Sequence, residues 1–143
     1  MKITPYSLGA VLVTLLALPA PSPALADPTP VPARHRHTAA EISTFLASFY
    51  GDHGPSDRDR DQRVSQLLKD KQERSRDIDV LLCARNAPQD ITIGPVTLMQ
   101  SAKVGSATVT TYWDADTTDT FTAYVRLDSQ PIKLDDVICA GRS

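Results

Sequence analysis

The chain has 143 residues, of which 41% are hydrophobic and 22% charged, and a formal net charge of −2. That is enough apolar material for one domain with one modest core. It lacks the concentrated basic surface that nucleic-acid binding calls for.

Lys2 precedes an apolar run over residues 8–18, short of the roughly 20 residues that span a bilayer. Pro19, Pro21 and Pro23 break that run, and Ala24-Leu25-Ala26 has the small-x-small form of a cleavage site. Together they predict a secretory signal peptide over 1–26, cut after Ala26, with no stable membrane anchor afterwards. The product is expected to be secreted or periplasmic. In such a compartment Cys83 and Cys139, the two cysteines of the chain, read as one structural disulfide. Two buried free thiols are the alternative, because Cys83 follows the apolar patch Val80-Leu81-Leu82. No C-x-x-C motif supports a redox role.

Residues 27–37 are Pro-rich at their start, lack apolar periodicity, and read as a flexible tail. His35 and His37 invite a metal reading, but Arg34 and Arg36 beside them repel a cation. Two His without further ligands do not close a site, so a solvated basic tail is favoured, with no metal and no cofactor. A single domain is expected over 38–143. Thr38 and Glu41 form a capping box, followed by Ile42, Phe45, Leu46 and Phe49 at helical spacing. Gly51 is placed to end this first helix, 39–50.

Ser56 or Asp57 then caps a second helix, with Val64, Leu67 and Leu68 on its apolar face. The alternating run 57–61 imitates the start of a calcium loop. Gln62 and Leu68 stand where that loop needs Gly and Glu. Residues 79–84 form a short buried element that periodicity leaves undecided between helical turn and strand. From Ile91 the texture is β: 91–93, a break at Gly94-Pro95, then 96–101, a turn at 103–106, and 107–113. A polar loop over 114–119 leads to a hairpin, 120–139, in which Phe121, Ala123, Val125 and Leu127 alternate with polar residues. Helices followed by about four antiparallel strands make an α+β domain, helices packed on the sheet.

The chain resembles the nuclear-transport-factor-two-like (cystatin-like cone) superfamily, and within it a group of exported bacterial domains of unassigned function. The resemblance spans most of 38–140. It rests on Phe49-Tyr50, Val64-Ser65-x-x-Leu68, the patch Asp79-Val80-Leu81-Leu82-Cys83-Ala84, and Ile132-Lys133-Leu134-Asp135-Asp136-Val137. Ile132 stands where the group's last strand usually opens with Trp. The resemblance implies a curved sheet with helices across its concave face and a cone-shaped pocket. It transfers no catalytic residue, and the fold alone does not assign a function.

Acid–base chemistry in such a cone needs a tuned base and an oxyanion donor. Asp52 and His53 are the candidate bases; Tyr50, Tyr112 and Tyr124 are the candidate donors. Asp52 and His53 sit in a Gly/Pro loop, where both are ordinary turn residues. Asp135 and Asp136 are sent to opposite faces by strand alternation and make no dyad. There is no G-x-S-x-G and no Gly-rich phosphate loop. Tyr112 and Trp113 beside Asp114 and Asp116 form an aromatic and acidic tip suited to a protein partner. The sequence thus favours a non-catalytic protein-binding domain, an envelope adaptor or immunity-type protein. A small-molecule binder or acid–base enzyme is the alternative.

Overall fold

A computed structural model describes residues 9, 17–21 and 35–141. The chain divides into Met1–Ala33 and Arg34–Ser143, and every helix and strand described belongs to the second unit. The expected signal peptide lies outside the described residues, apart from Gly9 and 17–21. So does the expected tail up to residue 34.

Among the described residues three helices precede five strands: α1 (Ala39–Tyr50), α2 (Asp57–Gln62), α3 (Gln66–Arg74), β1 (Asp90–Ile93), β2 (Thr97–Met99), β3 (Val104–Tyr112), β4 (Thr118–Arg126) and β5 (Leu134–Cys139). The fold is α+β, with one antiparallel sheet of order β1-β3-β4-β5 and β2 also paired to β3.

The capping box forms as expected. Thr38 Oγ1 accepts from the Glu41 amide at 3.2 Å, and the Thr38 amide donates to Glu41 Oε2 at 2.7 Å. Gly51 closes α1 at φ +53°, where a side chain would be strained. The buried stripe is Ile42, Phe45, Leu46, Phe49 and Tyr50. It packs on the inward residues of the sheet, among them Ala107, Val109, Phe121, Ala123, Val125, Leu127, Leu134 and Val137. Gly105 lets the helix come close: a Cβ there would lie 2.5 Å from Ile42 Cδ1.

The expected second helix is two. Arg63 ends α2, and Val64 leaves the helical path to form a parallel bridge with Leu134. The Leu134 amide donates to the Arg63 carbonyl at 2.9 Å, and the Ser65 amide to the Leu134 carbonyl at 2.8 Å. Ser65 Oγ then accepts from the Leu68 amide as the cap of α3 and donates to the Asp135 carbonyl at 2.9 Å. A second cap residue inside the periodic run thus outweighs continuity. Leu67, expected on the apolar face, is 58% exposed.

Residues 79–84 are neither helical turn nor strand but a closed loop. The Asp79 amide donates to the Ala84 carbonyl at 2.8 Å, the Leu81 amide to Asp79 Oδ1 at 2.9 Å, and the Val80 amide to Gln72 Oε1 at 2.8 Å. Arg60 pairs with Asp79 at 2.6 Å. These amide hydrogen bonds partner backbone groups of the loop while Val80, Leu81 and Leu82 are buried.

Five strands replace the expected four or so. The break at Gly94-Pro95 splits one edge into β1 and β2, because Pro has no N–H for the ladder; Gly94 still donates to Thr108 at 2.8 Å. The turn expected at 103–106 is shorter: Lys103, at φ +56°, completes it, and β3 begins at Val104, paired with Arg126. The register shift between Tyr124 and Val125 leaves Asp135 as the extra residue of β5. This bulge breaks the alternation expected at Asp135 and Asp136. Leu134 and Val137 are both buried, and the two carboxylates are both half-buried. Asp136 pairs with Lys71 at 2.9 Å, and burial pushes the Asp135 carboxyl above its ordinary range.

The solvated-tail expectation fails at His37, which is only 7% exposed. Its amide donates to the Leu127 carbonyl at 2.8 Å, and its ring is hydrogen-bonded through Nε2 to the Ser129 carbonyl at 2.6 Å. The packed domain therefore starts before residue 38.

Candidate functional site

Cys83 and Cys139 form the expected disulfide, with Cα atoms 5.6 Å apart. It ties the 79–84 loop to the end of β5, beside Phe121 on β4. The free-thiol alternative is thereby excluded. A disulfide points to an oxidising compartment, and no helix among the described residues is long and apolar enough to cross a membrane.

The β3–β4 connection is tighter than the expected polar loop, since β4 begins at Thr118. The Trp113 amide donates to the Thr117 carbonyl at 2.9 Å, and Asp114 Oδ1 accepts from the Asp116 amide at 2.9 Å. Those contacts hold the Asp114 carboxyl below the usual carboxylate range, the Asp116 amide being the main cause and the Thr117 hydroxyl a lesser one. Trp113 Nε1 donates to Asp119 Oδ2 at 3.0 Å, which fixes the half-buried indole across the turn. Tyr112 shares a 3.4 Å hydrogen bond with Thr92 on the neighbouring strand. Both aromatics are half-buried, rather than one inward and one outward as alternation alone implies.

Trp113 and Asp119 form one wall of a groove of about 720 Å³. The disulfide, Ala84, Ile78 and Arg85 also line it. Sequence reasoning found the tip but not this groove. The signal was available, because pairing Cys83 with Cys139 brings the 79–84 loop against the end of the sheet. Among the described residues, Asp114, Asp116 and Asp119 have no cationic partner within 4 Å.

The acid–base candidates are not brought together. Asp52 and His53 are exposed in the turn after α1, and the His53 ring is bonded through Nδ1 to the Pro88 carbonyl at 3.2 Å. Tyr50 is fully buried, and its hydroxyl donates to the Leu81 carbonyl at 3.0 Å. It packs against Phe121 with ring centroids 5.6 Å apart and is edge-on to Phe49. Tyr124 is half-buried on β4. Tyr50 is thus part of the core, not an oxyanion donor facing a ligand.

At the far end of the β3–β4 ribbon, beside Leu127, the structure assembles residues the sequence reading kept apart. His35 Nε2 lies 3.2 Å from Glu41 Oε1, and His37 Nδ1 lies 4.0 Å from Glu41 Oε2. The Thr38 amide, then the charge of His35, holds the Glu41 carboxyl below its ordinary value. Repulsion by the flanking arginines and the want of a third ligand argue against a metal in the sequence; Glu41 answers the second point. The signal was its i, i+4 spacing from His37 across the helix cap.

Neither a protein-family model, nor a curated protein, nor a solved structure matches the chain.

Proposed function

We propose that this chain is an exported, non-catalytic, protein-binding domain of nuclear-transport-factor-two-like type, and that its β3–β4 tip docks a cationic segment of a partner protein. The carrying observation is the set of carboxylates Asp114, Asp116 and Asp119 at the turn beside Trp113, with Asp119 bonded to the indole and none of the three ion-paired within 4 Å among the described residues. A fixed indole beside a groove offers a desolvating anchor, and the acids offer steering. The disulfide supports export, since such bonds persist in oxidising compartments. The order of helices then antiparallel sheet supports the superfamily reading. An envelope adaptor or an immunity-type protein would each use such a surface.

The test is retention of a partner from an envelope fraction by the wild-type chain, Trp113→Ala and the double variant Asp114→Asn/Asp116→Asn. The reading expects a partner released by raised salt and lost in both variants, because exposed charge pairs are screened. A partner held equally by all three chains would sink it.

A further inference from the structure

The ring of His37 is held in one tautomer. Its Nε2 contacts the Ser129 carbonyl at 2.6 Å, and a carbonyl only accepts, so Nε2 carries the proton. The free lone pair is then on Nδ1. Nδ1 has no hydrogen-bond partner among the described residues, and its nearest acid is Glu41 Oε2 at 4.0 Å. The side chain is 8% exposed, and no buried side-chain nitrogen lacks a partner among the described residues, so Nδ1 reaches solvent and holds its lone pair beside Glu41. A ligating His that donates its other ring N–H to a backbone carbonyl is the usual arrangement around a bound metal ion.

His35 and Glu41 complete the set. One ligand atom each from His35, His37 and Glu41 lies within 4.8 Å of the other two. Ligand atoms at about 2.0–2.1 Å from a tetrahedral ion are about 3.3 Å apart. The His35–Glu41 separation of 3.2 Å already matches that spacing. The His35–His37 separation closes by turning the exposed His35 ring, and the 4.0 Å between His37 and Glu41 by a small shift of the half-exposed Glu41 carboxylate. A pocket of about 530 Å³ lined by these residues, Phe45, Arg63 and Ile132 gives entry.

Arg34 lies outside the described residues, and the two described cations near the cluster have other contacts. Arg36 donates to Gln100 Oε1 at 3.2 Å. Arg63 pairs with Asp59 at 3.3 Å and lies over the Phe45 ring at 4.7 Å. The positive end of α1 disfavours a cation, and the Glu41 carboxylate offsets it as an ionised ligand.

We propose that His35, His37 and Glu41 bind a divalent transition-metal ion, with Zn²⁺ the best match to two imidazoles and one carboxylate. Three protein ligands leave a coordination position for water or for a side chain of another molecule. This site lies one β3–β4 ribbon length from the Trp113 tip, about 27 Å by strand rise, and does not depend on the docking role.

The experiment titrates the purified, untagged chain with Zn²⁺ by calorimetry, beside His35→Ala and Glu41→Gln. His35→Ala is the decisive variant: its side chain is exposed and its ion-pair contact is Glu41, so the fold does not depend on it. Binding at one equivalent, weakened at least about tenfold in His35→Ala, is expected. Nitrogen NMR of the histidine rings should show His37 Nδ1 and a His35 nitrogen moving on Zn²⁺ addition, with His37 Nε2 still protonated. Equal affinity in His35→Ala, unmoved ring nitrogens at saturation, or no binding at all would overturn the proposal and leave a hydrogen-bonded clasp that holds no ion.

Discussion

The Tyr50 hydroxyl donates to the carbonyl of Leu81 at 3.0 Å across 31 residues of sequence. It joins the end of α1 to the loop that carries Cys83, inside the core. Burial pushes the phenol well above its ordinary value, and the charge of Asp79 adds to the effect.

Tyr50→Phe keeps the ring and removes the donor, leaving a buried carbonyl unpaired. The expected loss is about 1–3 kcal/mol, read as a lower urea midpoint at unchanged slope. The pH dependence carries a second signature. The folded chain keeps a proton that the unfolded chain releases near pH 10. Stability from this group is therefore whole below about pH 10 and declines as pH rises further. Tyr50→Phe should flatten that alkaline decline, and an identical alkaline limb in both proteins would contradict it.

Ser65 holds α3 to β5. Its hydroxyl caps the helix through the Leu68 amide at 3.2 Å and bonds the Asp135 carbonyl at 2.9 Å. Ser65→Ala should cost about 0.5–2 kcal/mol, the range for lost caps. Ser65→Asp should restore the cap but not the bond to the Asp135 carbonyl, because a carboxylate cannot donate. Its thermal midpoint is expected between wild type and Ser65→Ala.

Local chemistry was legible from sequence where one residue decides the outcome. Thr38 and Glu41 specify the start of α1, and its stripe of Ile42, Phe45, Leu46 and Phe49 is the buried face seen. The alternation through Phe121, Ala123, Val125 and Leu127 is the inward face of β4 and the turn after it. What was not legible depends on partners distant in sequence. Val64 leaves its helix because Leu134 offers a backbone pair, and no pattern around Val64 records that offer. The bulge at Asp135 arises between β4 and β5, so that Leu134 and Val137 are both buried while Ile138 is 52% exposed. The His35–His37–Glu41 cluster is hidden in the sequence because 27–37 has the composition of a tail. Docking of His37 on Leu127 and Ser129 is a tertiary event.

Gly105 and Ile42 should be energetically coupled. A Cβ on residue 105 would meet Ile42 Cδ1 at 2.5 Å and Leu98 Cδ2 at 3.3 Å, and overpacking of this kind costs about 1–3 kcal/mol. Ile42→Val alone removes that Cδ1 at about 0.5–1.5 kcal/mol. In Gly105→Ala/Ile42→Val the new methyl takes the vacated space, so the double variant should be more stable than the sum of the singles predicts. A double-mutant cycle by chemical denaturation reads the coupling. Strict additivity would mean that the sheet, not Ile42, absorbs the added methyl.

The disulfide contributes through the unfolded chain. Cys83 and Cys139 are 56 residues apart, and closing a loop of that size restricts the denatured ensemble by about 4 kcal/mol in the chain-entropy model. Cys83→Ala/Cys139→Ala should lose most of that, seen as a lower urea midpoint with a larger slope as the unfolded chain expands. Position 83 adds a separable effect, because Cys83 has φ +52°, a conformation that costs an L side chain about 1–2 kcal/mol and glycine little. The crosslink holds the loop in that conformation; without it the backbone preference of residue 83 matters more. Cys83→Gly/Cys139→Ala is therefore expected to be more stable than Cys83→Ala/Cys139→Ala, although glycine has the more flexible unfolded chain. If the alanine pair is the more stable, the loop rearranges once the bond is lost. The groove between Trp113 and the 79–84 loop would then depend on oxidation for its shape.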